Sequence, residues 1–356
     1  MTPGGESETG GTDPGRIAEG LADWLRDRLP GSGTVRLGPL EKPGSGLSAG
    51  TLLVEAHRSD RTADRVHSLV LRIPSVGGEG LFPTSDLARE LAVLTLLDRA
   101  GVPVPHVIGL EQDPSVLGRP FLVTRRVEGR LIDSTAPYLS VGWLHDESEE
   151  IQSRIIGGFL GAMARIHRSE AGVQQATELG GIPTGGTAGA LERWSRYLEW
   201  ADVEGDAPDE LYEALAWCRS NRPAEEPLPS LLWGDAQLAN AVFGDDGSTR
   251  AILDFELAAI GPAELDLGWF LCLHDMTVAR CGQDLPGFMD RRGRLAIYED
   301  ALGRPVSNLE WYEIFAAVCT ASILVRMAFL LCKGGTDAAW LARSNPALDH
   351  IASLLA

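Results

Sequence analysis

Two aspartates and an asparagine stand close together in the chain. Asp235 and Asn240 lie in Leu231-Leu232-Trp233-Gly234-Asp235-Ala236-Gln237-Leu238-Ala239-Asn240, and Asp254 lies in Ile252-Leu253-Asp254-Phe255-Glu256. These side chains suit phosphoryl transfer. One carboxylate, Asp235, can accept or orient the proton of an attacking hydroxyl. Asn240 and Asp254 offer oxygen ligands of the kind magnesium takes. A transferring phosphoryl group needs mainly positioning and charge neutralisation, so a set this small is enough when a nucleotide supplies the rest.

The elements between these residues have to bring them together. Ala241-Val242-Phe243 is a short apolar run, Gly244-Asp245-Asp246-Gly247 a turn cluster, and Arg250-Ala251-Ile252-Leu253 the return, which together predict a β-hairpin. In an antiparallel pair the start of one strand lies beside the end of the other. The hairpin therefore sets Asn240 next to Asp254, and Asp235, one short loop upstream, faces the same space. A plainer reading uses the same residues as turn and helix caps, with a helix beginning near Phe255.

On these residues the chain resembles the aminoglycoside phosphotransferase-like kinases. The family loop His-Gly-Asp-x-x-x-x-Asn appears as Trp233-Gly234-Asp235 through Asn240, and its magnesium-binding Asp as Asp254-Phe255-Glu256. Gly261-Pro262-Ala263-Glu264-Leu265-Asp266-Leu267-Gly268-Trp269, Gly101-Val102-Pro103-Val104-Pro105, Leu117-Gly118-Arg119-Pro120-Phe121 and Val127-Glu128-Gly129-Arg130 match further family phrases. The subgroup it looks most like is related to the kinase-like domain of long acyl-CoA dehydrogenases, and the likeness runs from about residue 35 to 335.

The resemblance implies an α+β, protein-kinase-like bilobal fold with a small β-rich N-lobe and a larger helical C-lobe. It implies a phosphotransferase acting on a small hydroxylated acceptor, with Mg2+ as cofactor and ATP as co-substrate, GTP left open. Asp235 is then the catalytic residue, and Asn240 and Asp254 the metal ligands. Arg72, in Leu69-Val70-Leu71-Arg72-Ile73, stands where the family carries an ATP-binding Lys, with Glu90 as its candidate partner. Ser45 and Ser48 lie in Gly44-Ser45-Gly46-Leu47-Ser48-Ala49-Gly50, a small-residue loop that can lay backbone N–H groups against phosphates. Thr124 and Arg126 fall at the expected hinge, where the family holds adenine.

Two departures stand out. Trp233 replaces the usual His and can act as an apolar wedge, provided its indole N–H finds a partner. Arg72 replaces Lys, keeping the charge but changing its geometry.

The domain expectation is a disordered tail over 1–15, a nucleotide-binding lobe over 16–127 and a catalytic, acceptor-binding lobe over 128–356. Residues 1–15 lack the basic start and apolar stretch of a signal peptide, and a cytoplasmic location is expected. With 31 Lys and Arg against 50 Asp and Glu, the net charge of −19 argues against nucleic-acid binding. It suits a cationic acceptor such as an aminoglycoside, or simply solubility. Five dispersed cysteines show no metal spacing. The apolar run 314–332 has the length of a membrane span, but Thr320, Ser322 and Arg326 interrupt it, and a buried helix is expected there.

Helices are expected over 16–29, 87–100, 151–168, 190–200 and 208–219, with strands over 51–56 and 121–127. His167 is expected to make a structural hydrogen bond rather than act as a base. Trp194, Tyr197 and Trp200 are candidates to line an acceptor site or to pack helices. Arg291, Arg292 and Arg294 are the one local basic cluster that can suit a CoA acceptor, or a solvated helix face. The competing functional readings are a nucleotide-binding pseudokinase without transfer, motivated by Trp233 and Arg72, and a metallohydrolase built on Asp235, Asp254 and Glu256. The latter lacks spaced His ligands. Oligomeric state is not encoded in any recognisable pattern.

Overall fold

The computed structural model describes residues 14–43, 50–59, 64–74, 79–169, 173–174, 177–178 and 181–356. Ser45 and Ser48 lie outside the described residues. The chain forms two compact units, one from Met1–Pro74 with His106–Arg126 and the other from Ser75–Pro105 with Val127–Ala356. The segment 75–105 thus groups with the second unit, whereas a single cut at 127 assigns it to the first.

The first unit is a five-stranded antiparallel sheet in the order β1-β2-β3-β5-β4, with β1 at Thr34–Leu37, β2 at Thr51–Ser59, β3 at Asp64–Arg72, β4 at Val107–Glu111 and β5 at Phe121–Arg125. Helix α1, Pro14–Arg26, lays Leu21, Trp24 and Leu25 into a core with Val54, Ala56, Leu69, Leu71, Phe121 and Val123. In β2 and β3 the buried residues recur with period two, at Val54, Ala56 and Arg58 and at Leu69 and Leu71, whereas β5 buries Phe121, Leu122 and Val123 in succession.

Helix α1 ends at Arg26, three residues before the expected 29. The buried Arg58 explains the stop. Its guanidinium donates to the carbonyls of Arg26 at 2.8 Å and Leu29 at 2.7 Å, satisfying the exit turn in place of further helix. Strand β5 likewise ends at Arg125 rather than Val127, although the Arg126 amide still donates to Ser68 O at 2.9 Å.

The second unit is mainly helical. Its helices are α2 (Leu87–Arg99), α3 (Trp143–Asp146), α4 (Glu149–His167), α5 (Gly186–Ala201), α6 (Asp209–Ser220), α7 (Glu264–Cys281), α8 (Arg291–Leu302), α9 (Leu309–Lys333), α10 (Trp340–Arg343) and α11 (Pro346–Leu355). Two small antiparallel pairs run among them. Strand β6 (Ser230–Leu232) pairs with β9 (Ala259–Gly261), and β7 (Ala241–Phe243) pairs with β8 (Thr249–Ile252). The predicted hairpin is the β7–β8 pair.

Helix α9 contains the run 314–332 and is long and apolar enough to cross a membrane, but 67% of its most apolar window is buried within the protein. Its polar interruptions are satisfied internally. Thr320 and Ser322 return their hydroxyls to the carbonyls of Ala316 and Val318. Arg326 donates to Gly80 O at 3.1 Å and stacks over Trp200 at 4.0 Å. The five cysteines are free thiols, with Cys218, Cys272 and Cys319 buried.

Candidate active site

Strand β6 runs into the loop that carries Asp235, and the β7–β8 hairpin returns the chain beside it. Asn240 ends a short 3-10 turn, Leu238–Asn240, immediately before β7. The Leu253 amide donates to Asn240 O at 2.8 Å, which fixes Asp254, the next residue, next to the Asn240 turn. The structure therefore brings Asn240 and Asp254 together by the route the hairpin predicts. Asp254 has φ of 61°, a left-handed conformation unusual for a residue other than Gly and most tolerable for Asn or Asp. That strain is of the kind found where a side chain must be aimed.

Asp235 is half-buried and surrounded by donors. Gln237 Nε2 donates to both carboxylate oxygens at 2.9 and 2.7 Å, Asn240 Nδ2 to Oδ2 at 2.7 Å, and the Trp269 indole to Oδ1 at 3.0 Å. Burial, followed by the negative charge of Asp254, nevertheless pushes its pKa up to about 6, against the lowering effect of those hydrogen bonds. The two carboxylates are thus near enough to repel. Asn240 spends its Nδ2 on Asp235, which leaves Oδ1 as its available oxygen. With the Asp254 carboxylate this makes a two-oxygen donor set. Among the described residues there is no cluster of three or more His, Cys, Asp or Glu. Two protein oxygens fit magnesium, which keeps waters and phosphate oxygens as its other ligands, and do not fit an all-protein metal cage.

The loop is held from beneath by Asp266, in the first turn of α7. This carboxylate is 2% exposed and accepts the amides of Trp233 at 2.6 Å and Gly234 at 2.9 Å, and His167 Nε2 at 2.8 Å. His167 Nδ1 meets Tyr298 Oη at 2.6 Å. Burial, and next the Asp266 charge, raise the Tyr298 pKa well above its ordinary value, so the phenol stays protonated. The two contacts hold both ring nitrogens of His167 in place between Tyr298 and Asp266. His167 is structural, as its position at the end of α4 implied.

Trp233 is fully buried between Phe159 and Phe255, and its indole N–H donates to Leu253 O at 2.7 Å. The tryptophan in place of histidine therefore satisfies its polar atom and ties the Asp235 loop to the segment carrying Asp254. Gly234 has φ of +93°, and a Cβ there would stand 2.3 Å from Leu257 O and 2.4 Å from its carbonyl carbon. Gly234→Ala is expected to cost at least about 2 kcal/mol and to abolish turnover, because backbone must move. Gly101, with φ of +72° and nothing within 4 Å of an added Cβ, is the control. Thermal denaturation of both variants, with equal losses for the two, would remove the steric argument.

The remaining predicted site residues are spread. Arg72 ends β3 with Thr51 and Leu122 as cross-strand neighbours, and Thr124 lies in β5 opposite Val70 and Val107. Arg126 is exposed just beyond β5. Glu90 is buried on α2, 7% exposed, and belongs to the second unit, whereas Arg72 belongs to the first. Trp194 and Tyr197 line a cavity that reaches Gly234 and Trp269. Trp200 instead packs on Tyr197 and Arg326.

The basic cluster on α8 is not a patch. Arg291 bonds Asp275 and Glu313, and Arg294 is buried against Asp284 and Met289 O, so only Arg292 stands exposed. Sequence reasoning missed Gln237, Asp266 and Trp269 as parts of the site. Asp266 and Trp269 were nonetheless visible as an i, i+3 pair, which puts both on one helix face.

A sheet-bearing unit and a helical unit that holds an Asp–Asn–Asp loop and hairpin define a protein-kinase-like phosphotransferase. A sequence profile of the phosphotransferase enzyme family matches residues 42–303, and the chain belongs to that family. Among solved structures, the chain superposes on a Ralstonia eutropha JMP134 protein assigned as an aminoglycoside phosphotransferase, with a TM-score of 0.71 and 22% identity over 94% of this chain and 97% of that one. It also superposes on a GDP complex of aminoglycoside 2'-phosphotransferase-IIIa, with a TM-score of 0.57 and 14% identity over 95% and 98%. Among curated proteins it is 26% identical over 283 residues to the probable acyl-CoA dehydrogenase IBR3 of Arabidopsis thaliana, covering 72% of this chain and 32% of that protein. It is 31% identical over 188 residues to the human acyl-CoA dehydrogenase family member 11, covering 51% and 22%. The chain spans about a third or less of the length of these curated relatives.

Proposed function

We propose that the protein is a nucleotide- and magnesium-dependent kinase that moves the γ-phosphate to a hydroxyl of a small molecule. The observation that carries this reading is the half-buried Asp235, aimed by three side-chain donors and raised in pKa beside Asp254. An aspartate so held can accept the acceptor's hydroxyl proton or orient the hydroxyl for in-line attack. Gln237, Asn240 and Trp269 fix its rotamer, and Asp266 fixes the loop beneath it. Magnesium, held by Asn240 Oδ1 and Asp254, would neutralise phosphate charge.

Arg72, with Glu90, is the proposed grip on nucleotide phosphates, Ser45 and Ser48 belong to the proposed phosphate loop, and the backbone near Thr124 and Arg126 is the proposed adenine contact. ATP is the proposed co-substrate. Solved neighbours crystallised with GDP support nucleotide use in general and keep GTP beside it. The alternative, nucleotide binding without transfer, rests on Trp233 and Arg72 standing where the family carries His and Lys.

Coupled ADP release over a panel of hydroxylated acceptors tests the proposal, and silence with nucleotide binding intact would favour the alternative. Asp254→Ala is expected to weaken magnesium–nucleotide binding by about tenfold or more, as loss of one charged ligand implies, while metal-free nucleotide binds as before. Titration calorimetry with and without magnesium checks this, and unchanged binding in both arms would deny Asp254 its metal role.

A further inference from the structure

A cavity of about 550 Å³ lies beside the Asp235 loop, and the described residues that line it all belong to the second unit. One of its walls is a run of rings. Phe82 stands 5.6 Å from Tyr197, Tyr197 5.0 Å from Trp194, and Trp194 5.8 Å from Trp269, centroid to centroid. All four line the cavity. Hydrogen bonds tie the wall at two points. The Tyr197 hydroxyl donates to Leu81 O at 2.9 Å, and the Trp269 indole donates to Asp235 Oδ1 at 3.0 Å. Ring contacts therefore lead from Phe82 to the carboxylate that would take the acceptor's proton.

Burial divides the four rings into two kinds. Trp269 and Tyr197 are each 6% exposed, whereas Trp194 and Phe82 are half-buried. The first two are packed and held. The second two keep ring surface that a ligand can cover, and covering such surface is a main source of affinity for a small molecule. The cavity is also of the size that small-molecule sites have.

Net charge does not select the ligand here. Among the described residues the charged lining is Arg89, Arg193 and Arg196 against Glu192, Glu256 and Asp266, so the formal charges cancel. The −19 of the whole chain is not concentrated in this cavity and gives a polycation no net attraction to it.

Resting on the small-molecule-kinase reading, we propose that the acceptor is an alcohol with an apolar, ring-bearing body, which Trp194 and Phe82 contact while Trp269 positions Asp235 for the hydroxyl. The alcohol oxygen bonds the γ-phosphorus as the bond to the ADP oxygen breaks, and the hydroxyl proton passes to Asp235. Two tryptophans 5.8 Å apart then have separable roles. Trp194 touches the acceptor and sets affinity. Trp269 acts through Asp235 and sets turnover. A polyhydroxylated polycation would lay polar groups on the same rings and lose their hydration without replacement.

The test uses four probes on the full chain: 6-phenylhexan-1-ol, its methyl ether, hexane-1,6-diol and kanamycin. Binding is read by calorimetry and turnover by ADP release with magnesium–ATP. The alcohol and the ether share the apolar body. They are expected to bind within about threefold of each other and roughly tenfold or more tighter than the diol and kanamycin, as burial of a phenyl ring implies. Trp194→Ala should raise the Kd of alcohol and ether alike by about tenfold or more and leave nucleotide affinity unchanged. Trp194→Phe should recover part of the loss. If Trp194→Ala fails to fold, Phe82→Ala carries the same expectation. Trp269→Phe keeps a ring in the wall and removes the indole N–H. Its kcat for the alcohol should fall by about tenfold or more, with the Kd of the ether little changed.

Kanamycin or the diol binding as tightly as the ether, or ether affinity untouched in both Trp194→Ala and Phe82→Ala, overturns the proposal. A wild-type kcat in Trp269→Phe overturns its positioning half. The phosphotransfer reading fails separately. Alcohol and ether bound through Trp194, with no probe phosphorylated, would leave the aromatic site standing and sink the kinase. Kanamycin turned over with neither alcohol nor ether bound would do the reverse.

Discussion

Asp235→Ala is expected to lower turnover by about 10³-fold or more while magnesium–nucleotide affinity stays within about twofold, as the loss of an acid–base group differs from the loss of a binding group. Alanine is the better probe than asparagine. The carboxylate accepts from Gln237, Asn240 and Trp269, and an amide NH2 in its place would face those donors. The fold is expected to survive. A carboxyl whose pKa rises from about 3.9 unfolded to about 6 folded destabilises the protein when ionised, by on the order of 3 kcal/mol at pH 7. That penalty lifts as pH falls through 6, so removing the charge at neutral pH relieves a strain as well as deleting the hydrogen bonds from three donor side chains. The melting temperature should therefore move little.

The wild-type pH profile is the companion measurement. The ionised form is the one that accepts a proton, so kcat/KM should climb with pH and level off above about 6 at low magnesium. A cation on Asp254 would cancel the repulsion that contributes to the raised pKa, and saturating magnesium should move the limb to lower pH. Turnover in Asp235→Ala close to wild type, or a profile flat from pH 5 to 8, would sink the assignment.

Much of this site is readable from the chain because its parts are local. The apolar runs around Gly244-Asp245-Asp246-Gly247 specify a hairpin, and a hairpin has one way of placing Asn240 against Asp254. Trp233 and Asp235 share a loop only a few positions upstream of Asn240, so their neighbourhood is readable too; what holds that loop is not. Asp266 reaches back 33 residues to the Trp233 amide, and Arg58 caps the exit of α1 from a strand 32 residues past Arg26. No local periodicity encodes such a pairing.

Charge was legible only as a sum. Arg291, Arg292 and Arg294 look like a patch in sequence, yet Arg291 and Arg294 are spent on Asp275, Glu313 and Asp284. Arg89 and Arg193 are about a hundred residues apart and look ordinary, yet they share one cavity. Which arginines are neutralised is decided by packing, and packing is the part of the fold that composition averages away.

Asp266→Ala should be among the most destabilising single changes in the second unit, by about 3–5 kcal/mol, since it strips a buried charge from partners that keep their polar groups. The Trp233 and Gly234 amides and the His167 Nε2–H would all lose their acceptor in a region closed to water. Asp266→Asn retains one oxygen and should lose less. Urea unfolding measures the size, and hydrogen exchange over 231–236 locates it. Protection of the Trp233 and Gly234 amides is expected to collapse in Asp266→Ala before the β7–β8 hairpin opens. A loss under about 1 kcal/mol, with those amides still protected, would mean that β6 and the buried Trp233 hold the loop unaided. The distinction matters for mechanism. If Asp266 is the clamp, then the geometry around Asp235 is set by a residue that never meets substrate, and activity in Asp266→Asn should fall through kcat with KM little changed.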